Sequence, residues 1–163
     1  MAVTYEKIAT TTLGSAAASV TFSSIPQGYT DLVLVVTGGA STDANLRCQV
    51  NSDTGSNYSR TNVGGTGTSV ISSRLTSQSY LEFNFQSYLQ NNLNLNSVTH
   101  FMNYSNSTTF KTVLSRTNSA ALGADANVNL WRSTSAISTI YIYSSAGTFN
   151  SGSTFTLYGI LKA

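Results

Sequence analysis

The sequence predicts an all-β protein, an antiparallel β-sandwich of jelly-roll-like type with about nine to ten strands. Apolar residues recur at every second position in many short segments, turn residues separate these segments, and no segment of helical length shows a sustained helical period. The 163 residues suffice for one buried core. We therefore expect a single sandwich domain over residues 14–163, preceded by an N-terminal strand or arm over residues 1–13.

The C-terminal residues 135–163 contain two alternating segments in succession. Ile137 and Tyr141 face one side of the first segment, and Phe155 and Leu157 face one side of the second. Apolar groups also occupy the opposite faces, and short polar turns bound both segments. This pattern predicts a terminal hairpin that lies inside a sheet covered on both sides, or at a contact between subunits.

The most strongly apolar segment covers residues 31–37, where five consecutive apolar residues are flanked by Asp31 and by two glycines. It predicts a central strand buried on both faces. Residues 46–50 alternate, so a hairpin through residues 41–45 is expected to pair them with that strand. The Thr-rich residues 3–13 predict a strand or extended arm, paired at a sheet edge or with a neighbouring subunit.

The alternation weakens between residues 52 and 78. A short strand over 58–63 and a glycine-rich flexible tip over 64–67 are expected within a long surface insertion, a type of segment that often makes binding contacts. Later in the chain, Val128 and Leu130 face one side of a strand and Trp131 faces the other. The remaining predicted strands cover residues 18–23, 79–85, 97–104 and 109–116, with the last two joined as a hairpin.

The composition excludes several classes of function. Charged residues make up 9% of the chain, against about 25% in average soluble proteins, while 40% of the residues are hydrophobic and the net charge is +2. The eight basic residues are scattered, so we expect no nucleic-acid partner. No apolar run reaches the length of a signal peptide or a membrane span, so we expect no membrane partner and synthesis in a cytoplasm.

The catalytic inventory is small. His100 is the only histidine and lies within a predicted strand without a nucleophile motif nearby, so we interpret it as a packed or hydrogen-bonded strand residue. Cys48 is the only cysteine, which excludes an intrachain disulfide. A Cys48–His100 nucleophile pair is possible in principle, but a buried thiol that packs as a small apolar group is the favoured interpretation.

Metal and glycosidase sites are also weakly supported. Asn51, Asp53, Gly55 and Asn57 place oxygen ligands at alternating positions, but the spacing departs from the calcium-loop template, and a turn-capping role is favoured. A glycosidase needs a pair of carboxylates, and no pair stands out. The carboxylates available are Glu6, Asp31, Asp43, Asp53, Glu82 and Asp125. We predict no catalytic residues, no metal and no cofactor.

Aromatic residues leave a carbohydrate-binding alternative open, because exposed aromatic rings on a β-sandwich can stack on sugars. The ordinary role of such residues is to anchor a core or an interface. The candidates are Tyr29, Tyr58, Tyr80, Tyr88 and Trp131.

Three stretches resemble segments of small virion proteins of tailed bacteriophages. Residues 23–36 read Ser-Ser-Ile-Pro-Gln-Gly-Tyr-Thr-Asp-Leu-Val-Leu-Val-Val, and residues 51–59 read Asn-Ser-Asp-Thr-Gly-Ser-Asn-Tyr-Ser. Residues 149–160 read Phe-Asn-Ser-Gly-Ser-Thr-Phe-Thr-Leu-Tyr-Gly-Ile. The similarity spans most of the chain in the same order, and it consists of turns and strands rather than of catalytic motifs.

The resemblance implies a virion protein that is not an enzyme. A free-standing module of this size is similar to a capsid decoration (cement) protein, while a tail-fibre or tail-associated module for host attachment is the alternative. The implied partners are the major capsid protein and further copies of the chain, as a homotrimer on the capsid surface. We expect residues 2–12 and 57–78 to contact the capsid lattice, and the terminal hairpin to form sheet core or the trimer interface.

Overall fold

The chain forms two antiparallel sheets that pack face to face in the computed structural model, which describes residues 4–161. This confirms the predicted all-β sandwich, with twelve strands in the described part of the chain rather than nine to ten. The strands are β1 (Tyr5–Thr12), β2 (Ser19–Phe22), β3 (Asp31–Gly38), β4 (Leu46–Val50), β5 (Tyr58–Gly65), β6 (Val70–Gln78), β7 (Leu81–Glu82), β8 (Leu95–Phe101), β9 (Lys111–Ser119), β10 (Gly123–Trp131), β11 (Ile140–Ser144) and β12 (Thr154–Ile160).

The two sheets differ in size. The large sheet has the order β1-β12-β3-β8-β9-β10-β5-β6, and the small sheet has the order β2-β11-β4-β7. Between consecutive strands the chain changes sheet eight times, at every connection except those from β5 to β6, from β8 to β9 and from β9 to β10, which gives the jelly-roll-like connectivity. Within residues 4–161 no helix is long and apolar enough to cross a membrane.

The predicted terminal hairpin is wrong. β11 lies between β2 and β4 in the small sheet, whereas β12 lies between β1 and β3 in the large sheet. The connection between them crosses the sandwich, where Phe149 bridges to Ala17 and Ala40. Alternation reports which residues share a face of a strand, but it does not report which strand lies alongside, so a crossing connection resembles a hairpin in sequence.

The hairpin expected through residues 41–45 is wrong for the same reason, because β3 and β4 lie in different sheets. The hairpin of β8 and β9 is confirmed, with His100 opposite Leu114. The predicted N-terminal strand is also confirmed from residue 5 onwards: β1 pairs with β12 and forms one edge of the large sheet. Residues 1–3 of that prediction lie outside the described residues.

Residues 57–78 are not a long loop. β5 and β6 form a hairpin at the other edge of the large sheet, with Gly64 opposite Ile71. The sequence does not predict β6, because its Ser- and Thr-rich positions show little apolar alternation. Its neighbour β5 supplies the pairing instead, and the predicted flexible tip is reduced to the turn between Gly65 and Val70.

The apolar core fills the space between the small sheet and one half of the large sheet. Leu32 and Leu34 of β3 face Ile140 and Ile142 of β11 across this space, and all four are fully buried. Val33 is also buried, whereas Val35 is partly exposed, so the central strand is covered almost completely on both faces, as predicted. Phe149 and Phe155 meet edge to face at 4.9 Å between ring centroids.

The other half of the interior is polar. Here the small sheet ends at the two-residue strand β7, and the irregular residues 83–87 continue the cover over β9, β10 and β5. Irregular backbone buried in this way needs hydrogen-bond partners. The carbonyl oxygen of Phe83 accepts from Ser115 (3.1 Å), Thr117 (2.6 Å) and Asn127 (2.8 Å). Polar residues therefore point inward from the large sheet.

Asn129 completes this pattern. Its Oδ1 accepts from the N–H of Glu82 at 3.1 Å, and its Nδ2 donates to the carbonyl of Glu82 at 3.1 Å. Because side chains alternate along a strand, inward Asn127 and Asn129 force Val128 to the outside of the large sheet. The predicted alternation of β10 is correct, and the asparagine side chains of β10 lie on the side that faces the interior.

Gly159 of β12 offers a direct test of the packing against the core. A Cβ atom at Gly159 would overlap the ring of Tyr29, whereas a Cβ atom at Gly14 would meet nothing within 4 Å. We expect Gly159→Ala to destabilise the protein by about 1–3 kcal/mol, as overpacked sites do. Gly14→Ala is the matched control, with an expected change within about 0.5 kcal/mol. Urea denaturation checks both values, and equal effects would contradict the packing of Tyr29 on β12.

Candidate interaction surfaces

His100 and Cys48 do not meet. His100 lies on the outer face of the large sheet, where its Nε2 is 3.0 Å from Oδ2 of Asp31. Cys48 lies in β4 of the small sheet and is fully buried, and this burial raises the pKa of its thiol. Asp31 also accepts the backbone N–H of Asn103, so this carboxylate joins β3 both to β8 and to the turn after β8.

The turn predicted at residues 51–57 is held by its own polar atoms. Oδ1 of Asp53 accepts from the N–H of Gly55 at 2.8 Å, and Oδ2 accepts from Nε1 of Trp131 at 2.7 Å. Burial raises the pKa of Asp53, but hydrogen bonds from Trp131, Asn57 and Gly55 outweigh it and hold the pKa below its ordinary value. Across residues 4–161, no three His, Cys, Asp or Glu side chains form a group that could hold a metal ion.

Asp125 anchors the irregular cover of the polar interior. Its Oδ2 accepts from the N–H groups of Phe85, Gln86 and Ser87 at 2.8–2.9 Å, and from the Ser87 hydroxyl at 2.7 Å. Burial raises the pKa of Asp125, but these bonds outweigh it and hold the pKa below its ordinary value. The carboxylate therefore stays ionised at neutral pH as a structural acceptor.

Glu82 is the second buried carboxylate. It accepts from Arg60, which is 3% exposed, and from Nε of Arg47 at 2.9 Å. Two guanidinium groups thus neutralise one buried carboxylate and tie β5 and β4 to β7. The other candidate carboxylates include Asp43, which accepts from Nε2 of Gln90 at 3.0 Å.

The aromatic candidates separate into core and surface residues. Tyr58 and Trp131 are buried and stack with ring centroids 6.4 Å apart, so they are core residues. Tyr80 is half-buried, and the guanidinium of Arg47 lies 3.9 Å from its ring centroid. Tyr80 is therefore the predicted carbohydrate-binding residue that the structure places in a surface cluster.

Two tyrosines missed by sequence analysis complete this cluster. Tyr141 and Tyr143 point outward from β11 and stack with centroids 5.4 Å apart, and Tyr143 lies opposite Arg47 in the register. We name Arg47, Tyr80, Tyr141 and Tyr143 the tyrosine patch. Burial raises the pKa of Tyr143 to about 12, although Arg47 lowers it, so its hydroxyl stays protonated.

Aliphatic side chains are exposed on the outer face of the large sheet, where no other part of residues 4–161 covers β8, β9, β10 and β5. In one row across the strands, Val35, Val98, Arg116, Ala126 and Val63 lie side by side. The next row contains Val33, His100, Leu114, Val128 and Thr61. Val63 and Val128 are 53% and 51% exposed, which is unusual for a cluster of aliphatic side chains on a sheet. We call this surface the outer face.

The outer face contains a groove of about 620 Å³ near the β5–β6 hairpin. Its floor is made of small residues, because Ala124, Ala126 and Gly65 lie side by side on β10 and β5. Val63 and Val98 stand on either side of them. The alternation in β5, β8, β9 and β10 indicates which residues share one side of each strand. Sequence alone does not show which of the two sides is buried.

The two segments expected to contact a capsid lattice lie at the two edges of the large sheet. The described part of residues 2–12 contains β1, which pairs with β12. Residues 57–78 are largely the β5–β6 hairpin. β11 and β12, the strands of the expected terminal hairpin, each lie between two neighbours. They supply sheet core, one of the two roles expected of them.

The fold defines the class of protein as an antiparallel two-sheet β-sandwich. No protein-family model matches the chain, and no curated protein is significantly similar to it.

Proposed function

We propose that the chain is a non-catalytic structural protein of a bacteriophage virion, most specifically a capsid decoration (cement) protein. The observation that carries this proposal is the exposed apolar outer face. An aliphatic sheet face in water is stabilised when another protein covers it. A sandwich built of strands, with such a face, is suited to holding protein subunits together.

The chemistry of the side chains agrees with this role. His100, Glu82 and Asp125 each make hydrogen bonds that join elements of the sandwich, and Cys48 is buried in β4. The resemblance of residues 23–36, 51–59 and 149–160 to tailed-phage virion proteins supports the same class. In such a protein, many repeated weak contacts add to a strong attachment.

The proposed partners are the major capsid protein and other copies of this chain. Capsid lattices offer local threefold positions, and closed symmetric rings are the usual form of homo-oligomers, so we propose a homotrimer at the capsid surface. We propose the sheet edges, β1 and the β5–β6 hairpin, as the lattice contacts. Within residues 4–161 no further strand pairs with the outer side of β1 or of β6, and the backbone groups on that side can bond to another protein.

Binding to empty shells tests this proposal. The purified protein is mixed with shells assembled from the major capsid protein of the same phage. We expect saturable binding in a fixed ratio to shell subunits, and shells that resist heat and denaturant better than bare shells. Val128→Asp on the outer face is expected to weaken binding, and Thr21→Asp, an exposed strand residue on the small sheet, is the matched control. Shells that bind none of the protein would contradict the proposal.

The tyrosine patch favours a second candidate function, carbohydrate binding by a tail-associated module. Stacked Tyr141 and Tyr143 beside Arg47 present apolar ring surface and hydrogen-bond donors together on an open sheet. This function predicts that the protein is retained on host polysaccharide. Tyr141→Ala is expected to abolish that retention, whereas Val128→Asp is expected to preserve it. Absence of retention for the unaltered protein would contradict this candidate.

A further inference from the structure

The hairpin tip and the groove lie beside each other on the outer face. Val70, the first residue of β6, is 82% exposed and stands at the edge of the groove. The residues leading to it, Thr66 to Ser69, are small and uncharged. We name residues 66–70 the hairpin tip. An aliphatic side chain so fully exposed at the end of a hairpin is available to another protein surface.

The size of the groove follows from its floor. Ala126 pairs with Val63 in the first row of the outer face. Ala124 pairs with Gly65 in a third row, on the side of the first row away from Val128. Gly65 in turn lies opposite Val70. Alanine and glycine leave a hollow where longer side chains would fill the surface, and the valines at its sides keep it apolar. The groove can therefore accept aliphatic and small polar side chains such as those of the hairpin tip.

The groove contains a cation. Arg116 lies between Val98 and Ala126 in the row that crosses the groove, and Asp125 also lines it. The carboxylate of Asp125 is occupied by the N–H groups and the hydroxyl of residues 85–87. An arginine at this place is compatible with burial, since arginine is common at protein interfaces. The hairpin tip is uncharged, so it brings no like charge to Arg116.

The outer face supplies part of a subunit contact. Neighbouring strands lie about 4.8 Å apart and same-face residues along a strand about 6.7 Å apart, so its two rows across five strands cover roughly 300 Å². A stable interface of standard size buries about 800 Å² on each partner. The hairpin tip and the residues around the groove must therefore supply the remaining area of the proposed contact.

We propose that the groove receives the hairpin tip of a second copy of this chain, with Val70 seated between Val63 and Val98. Each chain then offers one tip and one groove, so the contact joins two different patches. Contacts of this kind close into a ring when the rotation between copies fits, and a rotation of 120° gives three copies. The ring of three rests on the proposed function, whereas the contact between tip and groove needs no capsid.

Cysteine cross-linking tests the contact. Val70→Cys combined with Ala126→Cys is oxidised with oxidised glutathione and examined on a non-reducing gel. Within one chain these positions are two strands and one row apart, about 12 Å between Cα atoms, which is beyond the reach of a disulfide. Cys48 is buried with a raised thiol pKa and stays unreactive. We expect covalent dimers and trimers.

The matched control pairs Val70→Cys with Thr21→Cys, which lies on the small sheet. A double variant that links no more than this control would overturn the proposal. Val70→Asp gives a second measurement. A charged side chain on the hairpin tip is expected to weaken self-association at least tenfold in sedimentation experiments. Thr21→Asp is expected to leave it unchanged. Unaltered association of folded Val70→Asp protein would also overturn the proposal.

The two proposals fail separately. A protein that cross-links through tip and groove but binds no shells contradicts the capsid role and supports the contact. A protein that binds shells but shows no excess cross-linking contradicts the contact and leaves the capsid role supported. Dimers without trimers support the contact and contradict the ring of three.

Discussion

Glu82→Ala is expected to destabilise the protein by about 3–5 kcal/mol, because it leaves the buried guanidinium of Arg60 without its counter-charge. Arg60 is 3% exposed, and Glu82 lies between it and Arg47. The variant also removes the ion pairs that tie β7 to β4 and β5. Guanidinium denaturation at neutral pH measures the change in the free energy of unfolding.

The matched control is Asp43→Ala. Asp43 is an exposed carboxylate that accepts one hydrogen bond from Gln90. Exposed pairs contribute about 0–1 kcal/mol, so the control is expected to lie within that range. Similar losses for the two variants would mean that the ion cluster around Glu82 is not a buried structural element.

Asp125→Asn is expected to cost about 3–5 kcal/mol, although the side chain keeps its shape. One carboxylate oxygen accepts four hydrogen bonds from residues 85–87. An amide in its place is uncharged and can turn a donor toward those N–H groups. Thermal and denaturant unfolding measure the loss, and hydrogen exchange of residues 85–87 is expected to rise in the same variant.

Acid should produce the same loss in the unaltered protein. The pKa of Asp125 is lowered in the folded state, so its contribution to stability is present above the unfolded pKa of about 3.9 and disappears as the pH falls through the folded value. Stability is therefore expected to fall below about pH 4. The dependence should be shallower in Asp125→Asn. Identical pH profiles for the two proteins would contradict the structural role of the carboxylate.

Sequence reasoning identified strands well and their partners poorly. Period-two alternation correctly marks β4, β8, β9 and β12, because it reflects the geometry of one strand, and the unbroken apolar run correctly marks β3. The pairing of strands depends on the path of the connections, so β11 and β12 resembled a hairpin although they lie in different sheets. β6 was missed because its stability comes from pairing with β5 rather than from its own apolar pattern.

The candidate interaction surfaces could not be predicted for a different reason. In β10, alternation correctly separates Val128 from Trp131, but it does not state which side faces the interior. Glu82 of β7 and the irregular residues 83–87 settle this, because the backbone groups of Glu82 and Phe83 need the amides of Asn129 and Asn127. The tyrosine patch was missed because Tyr141 and Tyr143 were assigned to a hairpin of uncertain burial.

The polar interior and the apolar outer face have one cause. Because Asn127, Asn129, Ser115 and Thr117 turn inward to bond residues 82–83, the neighbouring aliphatic residues must turn outward. The large sheet thereby gains an exposed aliphatic surface that no other part of residues 4–161 covers. In the proposed role, further copies of the chain cover this surface, and the assembly holds the shell together.

An electron cryomicroscopy reconstruction of the assembled particle tests this account most directly. It predicts copies grouped in threes on the shell, with the hairpin tip of each copy in the groove of the next and the outer faces shielded from solvent. Copies that lie singly at the tail, or that leave Val63 and Val128 open to solvent in the finished particle, would contradict it.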